Sequence, residues 1–171
     1  MIHVYHGTGK GKTTAAIGLT IRAQGAGRNI VFSQFLKGRD TSEIAVLASL
    51  PRVMVLRNQE DYGFLFQMTN EQKEAVTKLH NERLDEIIAL IREKTVDFIV
   101  MDEITYPYNE GLLDRQKLES LIEGLDPFVE LVLTGRNPSP YFLSKADYIT
   151  NMQCERHPFE SGQAARPGIE F

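Results

Sequence analysis

The stretch His6-Gly7-Thr8-Gly9-Lys10-Gly11-Lys12-Thr13-Thr14 constrains this chain more than any other, because of what flanks it. An apolar run, Ile2 to Tyr5, precedes it and reads as a strand; Ala15 to Ala26 follows and reads as a helix. A glycine turn between strand and helix lets backbone N–H groups and the positive end of the helix dipole converge, as a phosphate cradle requires. Lys12 reaches a terminal phosphate from this position, and the Thr13 hydroxyl suits a magnesium ion. Gly7, Thr8, Gly9, Lys10, Gly11, Lys12, Thr13 and Thr14 are therefore the expected nucleotide-binding residues. The pattern G-x-x-x-x-G-K-[ST] needs glycine where this chain has His6, so counted from Gly7 the loop is one residue short. The phosphates are expected to sit differently from those of an ordinary ATPase.

The remaining chain alternates apolar, β-rich runs with helical patterns. Ile30 to Leu36, Val53 to Leu56, Val96 to Ile104, Glu130 to Leu133 and Tyr148 to Met152 read as strands. Glu71 to Lys94, Asp114 to Leu125 and Tyr141 to Lys145 read as helices, the first opening on a capping box of Thr69 and Gln72. Such alternation predicts a mostly parallel sheet with helices on both faces, an α/β fold of the P-loop NTPase (RecA-like) kind. In such a sheet ligands bind beyond the carboxyl ends of the strands. The glycine loop, the acids Asp102-Glu103 and the turn Thr134-Gly135-Arg136 would gather there.

At 171 residues the chain suits a single domain over 1–171. A net charge of −4 argues against a general nucleic-acid binder, although Lys10, Lys12, Lys37 and Arg136 can form a local basic patch. The lone Cys154 allows no internal disulfide and no cysteine metal cluster, and with no signal-peptide pattern in view it fits a reducing, cytoplasmic setting. No apolar run approaches the roughly 20 residues that span a bilayer.

Asp102 and Glu103 end an apolar strand, as a Walker-B element does, and their hard oxygens suit magnesium. With Thr13 they form the expected metal set, although a strand-end acid pair can equally face solvent or cap a loop. Alternate strand residues face opposite ways, so one acid is expected to meet metal and the other to pair internally. Arg136, after a strand and a glycine, is placed either to clamp phosphate oxygens or to lie solvated on a turn. Tyr62-Gly63-Phe64-Leu65-Phe66 concentrates aromatics in an irregular stretch, serving either the core or a wall for a large flat ligand. His80 is expected to be exposed on the long helix, and no metal-ligand spacing links it with His3, His6 or His157. The stretch from Arg156 to Phe171 is expected to fold back on the domain. No covalent nucleophile is supported, which leaves positioning and charge stabilisation as the catalytic tools.

Separated pieces of the chain, GTGKGKTT, QFLKG, the aromatic GF, DEI, TGRN and the ending HPFESGQAARPGIEF, together resemble the ATP:corrinoid adenosyltransferases of the CobA/BtuR type. The resemblance runs in order along essentially the whole sequence. It implies transfer of the 5′-deoxyadenosyl group of ATP to cobalt(I) of a reduced corrinoid, with release of triphosphate. Lys10, Gly11, Lys12, Thr13 and Thr14 would hold the triphosphate, with ATP reversed along the short loop. Thr13 and Glu103 would bind magnesium. Lys12 and Arg136 would stabilise the leaving group, while Phe64 and Phe66 would close the lower face of the corrin. Phe66 stands where relatives often carry tryptophan, and the N-terminal extension of many relatives is expected to be absent here. A homodimer and an electron donor such as a flavoprotein are also implied, with neither nucleic acid nor membrane as partner. A P-loop kinase or ATPase, and a nucleotide- or corrinoid-binding carrier, are the competing readings.

Overall fold

The computed structural model describes residues 1–36, 41–57, 63 and 67–169. One sheet is built from β1 (Ile2–His6), β2 (Ile30–Gln34), β3 (Val53–Arg57), β4 (Phe98–Asp102), β5 (Glu130–Thr134) and β6 (Tyr148–Asn151). The helices are α1 (Lys12–Gly25), α2 (Ser42–Ser49), α3 (Asn70–Arg92), α4 (Thr105–Glu110), α5 (Arg115–Glu123) and α6 (Pro140–Lys145). Strand order across the sheet is β3-β2-β4-β5-β1-β6, and every pairing is parallel. All the carboxyl ends therefore meet at one edge, as expected for a P-loop NTPase-like fold. β5 stands between the strand that leads into the glycine loop and the strand that carries the acids.

Alternation along the strands sorts the core into two layers. Val31, Ile99 and Leu131 face Leu84 and Ile87 of α3, Leu118 of α5 and Phe142 of α6. Their neighbours Phe32, Val100 and Val132 face Ala16 and Ala23 of α1 and Leu47 of α2. Covered on both sides, these strands read as continuous apolar runs rather than alternating ones. The same parity reaches the carboxyl edge. Gln34 pairs with Asp102, and Met101 with Leu133, so Gln34, Asp102 and Thr134 stand in one row on the α1 side.

The capping box at α3 forms as the sequence predicts: Gln72 N donates to Thr69 Oγ1 at 3.3 Å, and Thr69 N to Gln72 Oε1 at 2.8 Å. Two helices escape the sequence reading. α2 is only eight residues long, and α4 contains Pro107, which its first turn tolerates because no intrahelical acceptor is needed there. Three expectations are corrected. β4 ends at Asp102 rather than running through Ile104. His80 is fully buried, because it lies four residues from both Val76 and Leu84 on the apolar stripe of α3. Residues 158–169 do not pack back as a folded tail; they make one 3-10 turn, Pro158–Ser161, and stay exposed, since their few apolar side chains, Phe159 and Ile169 among them, reach no core.

Candidate functional site

The glycine loop is held from behind by the exit of β6. Gly9 N donates to Met152 O at 2.7 Å, and Met152 N to His6 O at 2.8 Å. Gly7 has φ 109°, and a Cβ there would collide with Asn151 Oδ1 and the Met152 carbonyl; at Gly9 it would lie 2.6 Å from the Gln153 carbonyl. Only glycine fits both places. Gly11 precedes α1 with φ 114°, and no side chain caps this helix. By contrast Thr69, Asp114 and Ser139 cap α3, α5 and α6. The first turn of α1 also holds no acid. Its N-terminus thus keeps its positive character for an anion. Lys12 is buried, and its Nζ donates to the Gly7 and Gly9 carbonyls, 2.8 Å from each, which sets the ammonium within the loop.

Across from the loop, Asp102 is completely buried. Its Oδ1 accepts from Thr13 Oγ1 at 2.9 Å and from Thr134 Oγ1 at 2.7 Å. One carboxylate oxygen therefore joins the start of α1 to the ends of β4 and β5. Thr134 also accepts from Glu103 N at 2.9 Å. Glu103 lies beyond the strand in a left-handed conformation, φ 62°, which a non-glycine residue adopts at a cost of order 1 kcal/mol or more. This turn, and not strand alternation, sets Asp102 and Glu103 apart. Hydroxyl and carboxylate oxygens at the mouth of a phosphate loop are hard donors of the kind magnesium takes, and magnesium retains several waters instead of needing a cage of side chains. No group of three His, Cys, Asp or Glu side chains placed to hold a metal ion exists among the described residues.

Comparisons of sequence bear on what this edge serves, and comparisons of structure bear on the fold. A model of the family described as ATP:corrinoid adenosyltransferase BtuR/CobO/CobP matches residues 1–171. The chain belongs to that family. A corrinoid adenosyltransferase of Pseudomonas aeruginosa is 29% identical over 98% of this chain and 82% of its own length. The corrinoid adenosyltransferase CobA of Salmonella typhimurium is 27% identical over 100% of this chain and 85% of its own. Among solved structures, a KaiC-like protein of Pyrococcus horikoshii matches 91% of this chain and 73% of its own, with 18% identity and a TM-score of 0.55. EssC ATPase domains of Geobacillus thermodenitrificans match 98% of this chain, but the chain spans only 34% of that protein, with 14% identity and a TM-score of 0.53. These two likenesses bear out the fold alone.

Within this adenosyltransferase frame the expected residues sort clearly. The loop residues Gly7 to Thr14, Asp102 and Glu103 come together at one edge. Arg136 joins them through its backbone, since its carbonyl accepts from Gly7 N at 3.3 Å; its side chain is exposed, as are Thr8, Lys10 and Thr14. Phe64, Phe66, Tyr62 and Lys37 lie outside the described residues. Thr134 is a residue that sequence reading passes over, although its turn stands out; only the β4–β5 register shows it reaching Asp102. An open groove along α3, lined by Lys73, Thr77, Asn81, Asp85 and Leu112, includes none of these residues.

A second buried polar group lies behind β2. His80 packs 5.3 Å from the Phe35 ring, and Leu112 O lies 2.9 Å from its Nδ1. Burial holds its imidazole well below the usual range, at about 4, so it is neutral near pH 7. Arg83 sits 5.5 Å above the same ring and donates to Gln34 O at 2.6 Å. Burial lowers its guanidinium to about 10, and it stays charged near pH 7.

Proposed function

We propose that this chain transfers the 5′-deoxyadenosyl group of ATP to cobalt(I) of a reduced corrinoid and releases triphosphate. Family membership over residues 1–171 carries the reading. The glycine loop, the uncapped α1 and the Lys12 ammonium supply what a triphosphate needs. In the transfer, a cobalt(I) electron pair forms a bond to the ribose C5′ while the C5′–O bond to triphosphate breaks. The oxygen keeps its electron pair, and cobalt ends formally as cobalt(III). Such a nucleophile needs no general base. The protein's contribution is in-line placement and stabilisation of the departing charge.

Lys12, Lys10, Arg136 and the α1 N-terminus would provide that stabilisation. Thr13, Asp102 and Glu103 would hold magnesium, which supplies further positive charge beside the leaving group. Phe64 and Phe66 would close the lower face of the corrin and keep an axial ligand off the cobalt, easing reduction of cobalt(II). The homodimer and the flavoprotein electron donor belong to the same reading and rest on family membership.

The test mixes wild type and Lys12→Ala anaerobically with magnesium, ATP and chemically reduced cob(I)alamin, following loss of the cobalt(I) spectrum. Wild type is expected to form the alkylated corrinoid, and Lys12→Ala to be slower by about 100-fold or more, the range for removing one preorganised charge-stabilising donor. A wild-type protein that leaves the corrinoid unchanged refutes the reading.

A further inference from the structure

Gln34 closes the β2 strand next to Asp102, and its side chain is completely buried. Its amide is fixed in sense. Nε2 points to Glu43 Oε1 of α2 at 3.4 Å, and the opposite assignment would set two acceptors against each other. The amide oxygen, Oε1, is then a buried acceptor with no hydrogen-bond partner. Buried acceptors are rarely left so, because losing water without a replacement donor is costly; one that persists calls for an explanation. The backbone around it is firmly set, since Arg83 from the opposite sheet face donates to Gln34 O at 2.6 Å. The side chain is held loosely by comparison, its tie to Glu43 being near the limit of a hydrogen bond.

The row Gln34, Asp102 and Thr134 lies along the α1 face at one register, with neighbouring strands about 4.8 Å apart. Asp102 and Thr134 already serve the mouth of the phosphate loop. We infer that Gln34 is a ligand-contacting residue of the same site: its Oε1 accepts a hydrogen bond from a water on the nucleotide-bound magnesium. Magnesium gives up its waters reluctantly and orients them by hydrogen bonds to the protein, so an acceptor one strand beyond the carboxylate has a chemical use. Reaching that water requires the amide to turn away from Glu43, which its long contact there permits. This inference rests on the magnesium–ATP reading above.

The experiment measures ATP affinity with manganese as the spectroscopic substitute for magnesium, and again in EDTA, for wild type, Gln34→Leu and Gln34→Asn. Bound manganese is read by electron paramagnetic resonance. Gln34→Leu is expected to weaken manganese–ATP binding about tenfold, the loss of one good hydrogen bond, and to leave metal-free ATP within about twofold. Its melting temperature should match or exceed wild type, because an unsatisfied buried acceptor is removed. Gln34→Asn keeps the amide but falls short of the same reach, and should weaken manganese–ATP binding as Gln34→Leu does. The inference is overturned if Gln34→Leu binds manganese–ATP like wild type or loses both affinities equally. It is overturned as well if Gln34→Asn binds manganese–ATP like wild type. Should Gln34→Leu not fold, Gln34→Asn decides by the same criterion. A wild type whose ATP affinity ignores metal overturns the magnesium reading and this inference together. A metal-dependent wild type with an indifferent Gln34→Leu overturns the inference alone.

Discussion

Replacing Thr134 by valine keeps the shape of the side chain but removes the hydroxyl on which the end of β5 depends. Oγ1 donates to Asp102 at 2.7 Å and accepts from Glu103 N at 2.9 Å, so the change deletes both bonds in a buried setting. Losing the partner of a buried polar group costs about 1–3 kcal/mol. Asp102 keeps its bond from Thr13 and Glu103 is only partly buried, which puts each loss near the lower end. The sum is about 2 kcal/mol, and for a domain of this size each kcal/mol moves the melting temperature by roughly 2–4 °C. Thr134→Val should therefore melt about 4–8 °C below wild type in calorimetry. Thr134→Ser, which keeps the hydroxyl and loses one buried methyl, should fall by only about 1 kcal/mol, roughly 2–4 °C. Because Glu103 would lose the bond that holds its left-handed turn, metal-dependent ATP affinity should fall in the valine variant and survive in the serine one. A valine variant that melts with wild type refutes the reasoning, as does a serine variant that falls equally far.

Three other perturbations follow from the same geometry. Gly7→Ala meets both a backbone at φ 109° and a collision with Asn151 and Met152; isothermal titration should show ATP affinity down by more than tenfold, with the far-ultraviolet spectrum retained. His80 is held at about 4 against an ordinary 6.5, so the unfolded chain takes up its proton first as pH falls. Stability is complete above about pH 6.5 and drains away toward pH 4, by about 3 kcal/mol from this residue; urea midpoints for His80→Leu should show a correspondingly flatter slope than wild type across that window. Phe64→Ala, on the proposed role of the aromatic pair, should keep ATP binding and turnover of pre-reduced cobalt(I) corrinoid while losing most activity from cobalt(II), and equal losses in the two assays would exclude that role.

Local chemistry made most of this legible from the residues alone. Thr69 and Gln72 announced the start of α3, and doubly covered strands showed as unbroken apolar runs. The glycine loop declared itself between strand and helix. What stayed hidden depends on register between strands far apart in the chain. Thr134 becomes a partner of Asp102, and Gln34 its neighbour, only once β4 lies between β2 and β5. No spacing within one segment encodes that. His80 is different: its four-residue distance from Val76 and Leu84 placed it on the buried stripe, but its polarity outweighed that position in the reading. Glu103 shows the limit of strand alternation, since a single left-handed residue resets the direction of the chain just beyond β4.

The central claim concerns which bond of ATP breaks. Anaerobic turnover with magnesium, ATP and cob(I)alamin, with the phosphate products resolved by phosphorus NMR, tests it directly. The account predicts triphosphate in one-to-one proportion with newly formed adenosylcorrinoid. Formation of ADP beside an unchanged corrinoid would contradict it.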